Sequence, residues 1–206
     1  MKVVGIDLAG SEKQITGFCV LDENLNCRTL ALHSDKEIIE ETLKEDPDII
    51  SIDAPLCLPL GRKSLEQKGP PHLRACDREL LRMKIKFFPI TLGPMRKLTK
   101  RGIKLKEFFE SKGYKVIESF PGAAQDMLGM PRKQCGIEKL RKALIKYGFK
   151  GDVEKEKITD DELDAICSAL VGKMYLEDDY LAIGNPKEGL MILPKRKESL
   201  KSFFKK

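Results

Sequence analysis

The sequence predicts an α/β fold with a mixed five-stranded sheet and helices on its faces. Three apolar runs separated by short turns open the chain, and short turns between consecutive strands favour antiparallel pairing. A fourth apolar run follows a helical pattern, an arrangement that favours parallel pairing with the first strand. A long, well-capped helical pattern near residue 160 closes the main part of the chain.

The first half of the chain contains four predicted strands and one helix. Residues 2–8, 15–21 and 27–33 form the three opening strands, and residues 35–45 have apolar positions at helical spacing. The dipeptide after that helix, Asp-Pro, ends it. Residues 49–54 are too few for a helix and rich in β-branched side chains, which predicts the fourth strand.

An insert interrupts this pattern at about residues 56–112. Its first part, residues 56–71, contains several proline and glycine residues and is predicted to be irregular. Helices are predicted at about 71–84 and 95–112, although Gly102 weakens the second.

The last helix is the clearest element of the sequence. Thr159 and Glu162 form a capping box at its start. Its apolar stripe consists of Leu163, Cys167, Leu170 and Met174. The other predicted elements are a fifth strand, two helices and a small closing hairpin, at 114–119, 123–129, 136–147 and 180–193.

Together these elements follow the order of an RNase H-like fold. That fold has three antiparallel strands, a helix, a parallel strand, further helices, another strand and a final helix, with sheet order 3-2-1-4-5. The sequence shows no internal repeat or low-complexity linker. We therefore expect one RNase H-like domain over residues 1–206.

Basic residues are unevenly distributed along the chain. The formal charge is +6, and the segment from Arg82 to Lys106 has nine basic residues and no acidic one. The tail from Lys195 to Lys206 is basic again. Such stretches attract polyanions, most commonly nucleic acid, but a solvated lysine-rich surface explains them equally well.

The six cysteines suit small buried residues better than disulfides. None forms a C-x-x-C pair, and Cys19, Cys57 and Cys167 lie in apolar runs, as small buried hydrophobic residues do. Zinc binding by Cys57, His72 and Cys76 lacks a fourth ligand. The sequence has no leader pattern and no apolar run long enough for a membrane span, so we expect a cytoplasmic protein without membrane contact. It does not indicate the oligomeric state.

Two aspartates stand where strands seldom have them. Asp7 in VVGIDLAG and Asp53 in IISIDAPL each follow an isoleucine at the end of an apolar strand. On adjacent parallel strands the two carboxylates lie side by side and need a counter-cation, for which Mg²⁺ or Mn²⁺ is suited. Either residue alone is also a plausible turn cap.

The last helix contributes a second acidic pair. Asp161 and Asp164 are three residues apart, so they project from neighbouring positions. Acidic residues in a first turn also favour the helix dipole, which explains Asp161 better than Asp164. Glu118, at the end of the fifth strand, is a further candidate, although it could instead pair with a lysine.

The chain also resembles a known family from Met1 to about Pro194. The segments that carry the resemblance are GIDLAGS, IDAPL, HLRACDREL, KVIESFPG, TDDELDAICSAL and EGLMILP. They are similar to the motifs of domain-of-unknown-function family 429, whose members are predicted nucleases of the RNase H fold. The pattern D-x-x-D-A-x-x-x-A-L on the last helix is the most specific. The resemblance implies a metal-dependent nuclease.

The same acids also resemble the acidic set of RuvC-type Holliday-junction resolvases. Asp7 and Asp53 match the first and fourth strands, and Asp161 and Asp164 match two acids on the final helix. The chain departs from that pattern in having Asp rather than Glu on the fourth strand, which shortens the side chain by one methylene. The insert, residues 56–112, is also absent from the minimal fold.

The resemblance implies two-metal hydrolysis of a phosphodiester bond in DNA or RNA. Asp7 would bridge two ions, with Asp53 and Glu118 on one and Asp161 and Asp164 on the other. Arg78 would clamp a phosphate, or else simply pair on a solvated helix. Aromatic residues near the basic segment, Phe87 and Phe88, would stack on bases or pack in the core. The residues expected to follow the nucleic-acid backbone are Lys86, Arg96, Lys97, Lys100 and Arg101.

Two other functions fit parts of the sequence. The loop Asp7–Ser11 imitates the first phosphate loop of actin- and hexokinase-like ATP-dependent phosphotransferases, but these enzymes need a second such loop in a second domain. A catalytically silent nucleic-acid-binding protein would have the same basic surface. ATP binding would favour the first alternative, and the absence of metal-dependent cleavage would favour the second.

Overall fold

A computed structural model describes residues 1–195 of the chain. Most of the predicted basic tail, residues 196–206, therefore lies outside the described part. The strands are β1 (Lys2–Asp7), β2 (Thr16–Asp22), β3 (Asn26–Leu32), β4 (Ile49–Asp53), β5 (Val116–Ser119), β6 (Lys150–Gly151), β7 (Tyr180–Asn185) and β8 (Gly189–Pro194). The helices are α1 (Asp35–Glu45), α2 (Ala75–Arg82), α3 (Gly93–Ser111), α4 (Pro121–Leu128), α5 (Ile137–Tyr147) and α6 (Asp160–Leu176), with 3₁₀ turns at Lys133–Cys135 and Asp152–Glu154.

One mixed sheet runs through the molecule in the order β6-β3-β2-β1-β4-β5-β8-β7. Its five central strands have the predicted order 3-2-1-4-5, and β1 pairs antiparallel with β2 and parallel with β4. The RNase H-like fold class is thereby confirmed. The predicted number of strands was too small, because β6 extends one edge and the C-terminal hairpin extends the other through parallel pairing of β8 with β5.

Alternation along the central strands separates two cores. Val3 of β1 packs in the core shared with α6, and Val4 packs in the core on the opposite face with α1 and α3. In β4 the same alternation places Ile49 on the α6 side and Ile50 on the other. Because side chains alternate with a period of two, Asp7 and Asp53 at the strand ends lie on the α6 side.

Helix α6 lies unusually close to the sheet because glycines line its path. A Cβ atom at Gly5 would stand 2.3 Å from the carbonyl oxygen of Ala165, and one at Gly17 would stand 2.0 Å from that of Asp161. The capping box of Thr159 and Glu162 is confirmed. The predicted apolar stripe of α6 is buried. The helix is also buried on its other faces, because α4, α5 and β7 contact it as well as the sheet.

Close packing and hydrogen bonds to a distant hairpin both attach the insert to the domain. Gly102 of α3 meets the end of β4, where an added Cβ would come within 2.9 Å of the Ala54 Cβ. This close contact explains a glycine inside a helix. In the turn of the β7–β8 hairpin, the Glu188 carboxylate accepts hydrogen bonds from the backbone N–H groups of Leu60 (2.8 Å) and Ala75 (2.5 Å).

The cysteines are all free thiols, and Cys57 is only partly buried. Zinc binding by Cys57, His72 and Cys76 is not supported, since His72 is exposed while Cys76 is buried in the core with Leu80. Among residues 1–195, no helix has both the length and the apolar character required to cross a membrane.

Candidate active site

The carboxylates of Asp7 and Asp53 end two neighbouring parallel strands. The strand register pairs Asp7 with Asp53 directly, and it also pairs Asp7 with Gly17 of β2. Adjacent strands are about 4.8 Å apart, so the two side chains lie next to each other on the face that α6 covers. The sequence prediction that these strands are adjacent and parallel is correct.

Helix α6 brings its acids over this end of the sheet. Its first turn lies against Gly17, whose lack of a side chain admits the Asp161 backbone. Asp164 follows one turn later and is buried, with a relative exposure of 6%. The amide Nε2 of Gln125 in α4 donates a 2.6 Å hydrogen bond to Asp164 Oδ1 and thereby fixes its orientation.

Lys133 supplies the positive charge at the centre of these acids. Its Nζ lies 2.9 Å from Asp164 Oδ2 and 3.9 Å from Asp7 Oδ2. It also lies 3.4 Å from Asp160 Oδ2 and 3.7 Å from Asp161 Oδ1. We call these residues with Asp53 the acidic cluster: Asp7, Asp53, Asp160, Asp161, Asp164 and the central Lys133.

One lysine does not neutralise the acidic cluster. Burial, together with the charge of Asp164, raises the pKa of Asp7 to about 8. Burial and the neighbouring Asp7 raise the pKa of Asp53 well above its ordinary value. Burial opposes the charge on Lys133, but Asp164 and Asp7 outweigh it and raise the lysine pKa. At neutral pH Asp7 thus holds a proton that a stronger cation would displace.

The acidic cluster fits a divalent cation by its chemistry. Carboxylate oxygens are hard ligands of the kind that Mg²⁺ and Mn²⁺ prefer, and the cluster has more negative than positive groups. As placed around Lys133, however, no three His, Cys, Asp or Glu side chains within residues 1–195 form a ready-made metal site. Binding a metal here requires Lys133 to move away from the carboxylates.

Glu118 does not join the acidic cluster, contrary to the sequence prediction. The register pairs Glu118 with Ile52, and Asp53 pairs with Ser119. Neighbours along a strand point to opposite faces, so Glu118 lies on the side away from α6. Its Oε2 accepts hydrogen bonds from Arg74 Nη1 at 2.7 Å and from the Leu56 N–H at 2.8 Å.

Arg74, rather than Arg78, is the arginine that α2 directs inward. Arg74 is buried, and it pairs with Glu118 and with Asp77 at 2.8 Å. Arg78 is exposed, and its Nη1 donates to the carbonyl of Leu73. The structure therefore does not bring Arg78 to the acidic cluster.

The predicted nucleic-acid contacts lie in several environments. Arg101 is buried, and its guanidinium binds Asp35 Oδ1 at 2.6 Å and the carbonyls of Ala9 and His33, so it holds α3 to the domain and faces no open surface. Lys86, Arg96, Lys97 and Lys100 are exposed.

A cavity of about 710 Å³ opens beside the acidic cluster. Its walls come from α2, the segment 84–88 and α3 of the insert, and from the ends of β4 and β5. We call it the insert cavity. Residues that line it include Asp53, Arg74, Asp77, Lys84, Lys86, Phe87, Phe88, Glu118, Ser119, Phe120, Arg132 and Met191.

Sequence reasoning missed Lys133 and Gln125. Both stand in the segment between β5 and α6, far in sequence from Asp7, and no local pattern marks either as a partner of an acid. The only signal was the basic pair Arg132-Lys133 outside the charge-rich segments.

Comparison with solved structures gives a likeness in fold, whereas two other comparisons find no match. No protein-family model and no curated protein matches the chain. The solved structure of RuvC from Thermus thermophilus is similar to it with a TM-score of 0.48 and 13% sequence identity, over 86% of this chain and 96% of that chain. The fold assignment rests on the sheet order described above. The resemblance to domain-of-unknown-function family 429 is not confirmed, because no family model matches the chain.

Proposed function

We propose that this chain is a metal-dependent nuclease that hydrolyses phosphodiester bonds of DNA or RNA at the acidic cluster. The observation that carries the proposal is the side-by-side pairing of Asp7 and Asp53 under Asp164 of α6. A structural role alone does not require several acids to be buried side by side, where Asp164 raises the pKa of Asp7 and Asp7 raises the pKa of Asp53, whereas a cation-binding role does. The resemblance of the sequence motifs to those of domain-of-unknown-function family 429 supports the same function.

In the proposed site, four aspartates would hold the metal, Asp7 and Asp53 from the sheet and Asp161 and Asp164 from α6. When bound, Mg²⁺ or Mn²⁺ would activate water and stabilise charge on the phosphate. Gln125 keeps Asp164 oriented through the hydrogen bond from its amide. Glu118 is not among the proposed ligands, because its carboxylate accepts hydrogen bonds from Arg74 and from the backbone N–H of Leu56.

Lys133 has two roles in the proposed site, one without metal and one with substrate. Its ammonium group balances part of the negative charge while the aspartates are without a metal. Once displaced, it remains within reach of the same site on a short turn, where it can bind a phosphate oxygen as a point charge. The acidic cluster thus repels a polyanion less than its carboxylates alone would.

The test is cleavage of labelled nucleic acids by the purified protein. We expect Mn²⁺-dependent cleavage of at least one form among single-stranded, duplex and branched DNA and RNA. Asp7→Asn and Asp164→Asn should each lower the rate by about a hundredfold or more, because each removes a charge from the metal site. Asp179→Asn makes the same change at an exposed position after α6 and should leave the rate unaltered.

Two outcomes would overturn the proposal. Binding of nucleic acid without cleavage of any form, with Mg²⁺ or Mn²⁺, would instead establish a silent binding protein. Saturable ATP binding with phosphate transfer would point to the phosphotransferase alternative.

A further inference from the structure

Two residues that line the insert cavity have buried polar atoms without a partner. Glu118 and Ser119 both line it, and Glu118 Oε1 and Ser119 Oγ are buried and have no hydrogen-bond partner within residues 1–195. A buried acceptor left unpaired costs about 1–3 kcal/mol, so native proteins seldom keep two in one wall without use. The pair indicates a polar ligand whose edge includes an N–H donor.

The rest of the wall is aromatic and apolar. Phe87, Phe88 and Phe120 contribute rings, and Phe88 is 68% exposed, which is rare for a side chain of its size. An exposed ring at the mouth of a cavity is a stacking surface for a flat ligand. The volume is also within the range of small-ligand sites, roughly 300–1,000 Å³.

The rim carries positive charge. Lys84 and Lys86 are exposed and form no ion pair with any residue in the described part of the chain. Arg132 lies over the Phe120 ring at 5.9 Å and pairs with Asp126. The acids of the wall away from the acidic cluster, Asp77 and Glu118, are paired with Arg74. The free charge at the mouth is therefore cationic and suits a phosphate.

We propose that the insert cavity binds an unpaired nucleotide, with its base stacked on Phe88 and its phosphate at Lys84 and Lys86. A nucleobase is flat, and its edge carries the N–H donors that Glu118 Oε1 lacks. A base that is still paired in a duplex cannot enter, because its N–H groups are used and its faces are stacked. Since Asp53 lies in the same wall, the bound nucleotide is next to the acidic cluster.

This inference rests on the proposed function for the identity of the polymer, and it makes that function specific for unpaired segments. The same chemistry is present in a free nucleotide and in an unpaired base of a strand. The experiment therefore includes both sources.

Binding is measured in EDTA, so that no cleavage interferes. The probes are a single-stranded oligonucleotide with one 2-aminopurine, the same oligonucleotide in a perfect duplex, and 2-aminopurine deoxynucleoside monophosphate. We expect tighter binding of the single strand than of the duplex, with a change in 2-aminopurine fluorescence. Phe88→Ala should weaken binding of the single strand about five- to a hundredfold, the range for loss of one stacked base. Leu60→Ala, another exposed apolar residue of the insert, should have no effect.

Ser119→Ala distinguishes a ligand contact from a structural one. Removing a buried hydroxyl that has no partner should not lower the melting temperature, since no hydrogen bond is lost. The same variant should bind the single strand more weakly. A lower melting temperature with unchanged binding would contradict the assignment of Ser119.

Each outcome decides the proposal separately from the nuclease activity. Equal binding of strand and duplex, unaffected by Phe88→Ala, would overturn the cavity assignment even if metal-dependent cleavage is found. Selective binding of the single strand would support it even if no cleavage occurs. Comparable binding of the free monophosphate would support the cavity and identify a free nucleotide as its ligand.

Discussion

At the scale of single residues, the acidic cluster has too few cations for its acids. Lys133 is the only basic side chain that pairs with Asp7 or Asp164 in residues 1–195. Asp53 has no ion pair within the same range. This imbalance makes the cluster sensitive to protons and to added metal.

The first prediction concerns the proton held by Asp7. Its pKa in the folded protein is about 8, against 3.8 ordinarily, so between these values the folded state binds more protons than the unfolded state. The free energy of unfolding therefore falls as the pH rises through this window, and Asp7→Asn removes the fall. Without metal, the free energy of unfolding of the variant should equal that of the wild type near pH 4 and exceed it by about 2–4 kcal/mol near pH 8. This difference is smaller than the pKa shift of an isolated group would give, because the neighbouring acids titrate together.

Urea unfolding at several pH values in EDTA measures this difference. Asp179→Asn is the control, and it should follow the wild type across the window. A variant with the same pH dependence as the wild type would show that Asp7 titrates normally.

The second prediction concerns the cation. Lys133→Met leaves the buried Asp164 with its Gln125 hydrogen bond but without a cation, which should cost about 1–3 kcal/mol of stability in metal-free buffer. Adding Mn²⁺ should restore at least that amount, because the metal then replaces the ammonium group. Lys139→Met, on the exposed side of α5, should change neither quantity. Thermal unfolding with and without Mn²⁺ gives both values, and an unaltered response to Mn²⁺ would contradict the displacement of Lys133.

At the scale of elements, the contact between α6 and β2 positions the acids. Gly17→Ala places a methyl group 2.0 Å from the carbonyl oxygen of Asp161, which forces the helix outward. We expect a loss of about 1–3 kcal/mol in stability and lower cleavage activity, since overpacking shifts backbone as well as side chains. Gly93→Ala, in the first turn of α3 with no atom nearby, should be close to neutral. Chemical denaturation of the two variants makes the comparison, and equal effects would show that α6 tolerates the shift.

The sequence predicted the central strands and the Asp7–Asp53 pair because short turns and matched strand ends are local features. It could not place Glu118, because a shift of one residue between β4 and β5 moves a side chain to the other face. The pairing of Glu118 with Ile52 depends on the packing of the whole sheet. Lys133 and Gln125 reach the acids through α4 and the turn after it, a path that no spacing in the sequence reveals.

At the scale of the whole molecule, the insert carries exposed, unpaired positive charge. Lys97 and Lys100 on α3 are exposed and have no ion pair in the described residues. If these lysines contact phosphates, Lys97→Ala and Lys100→Ala should each change the salt dependence of nucleic-acid binding. The slope of the logarithm of the binding constant against the logarithm of the salt concentration should become shallower by about 0.7–0.9 in each variant. Lys139→Ala on α5 should leave the slope unchanged. Titrations at several salt concentrations measure it, and unchanged slopes in both α3 variants would exclude α3 from the contact.

The fastening of the insert by Glu188 has a consequence for biosynthesis. Leu60 and Ala75 receive their hydrogen-bond acceptor from a residue more than a hundred positions later, and Met191 of the same hairpin lines the insert cavity. A nascent chain still lacking this hairpin already has all four proposed metal ligands, but it lacks the Glu188 acceptor and one wall residue of the insert cavity. Translation therefore supplies the proposed metal ligands before the last wall residue of the insert cavity, and a chain stalled or truncated before residue 188 would have that cavity incomplete.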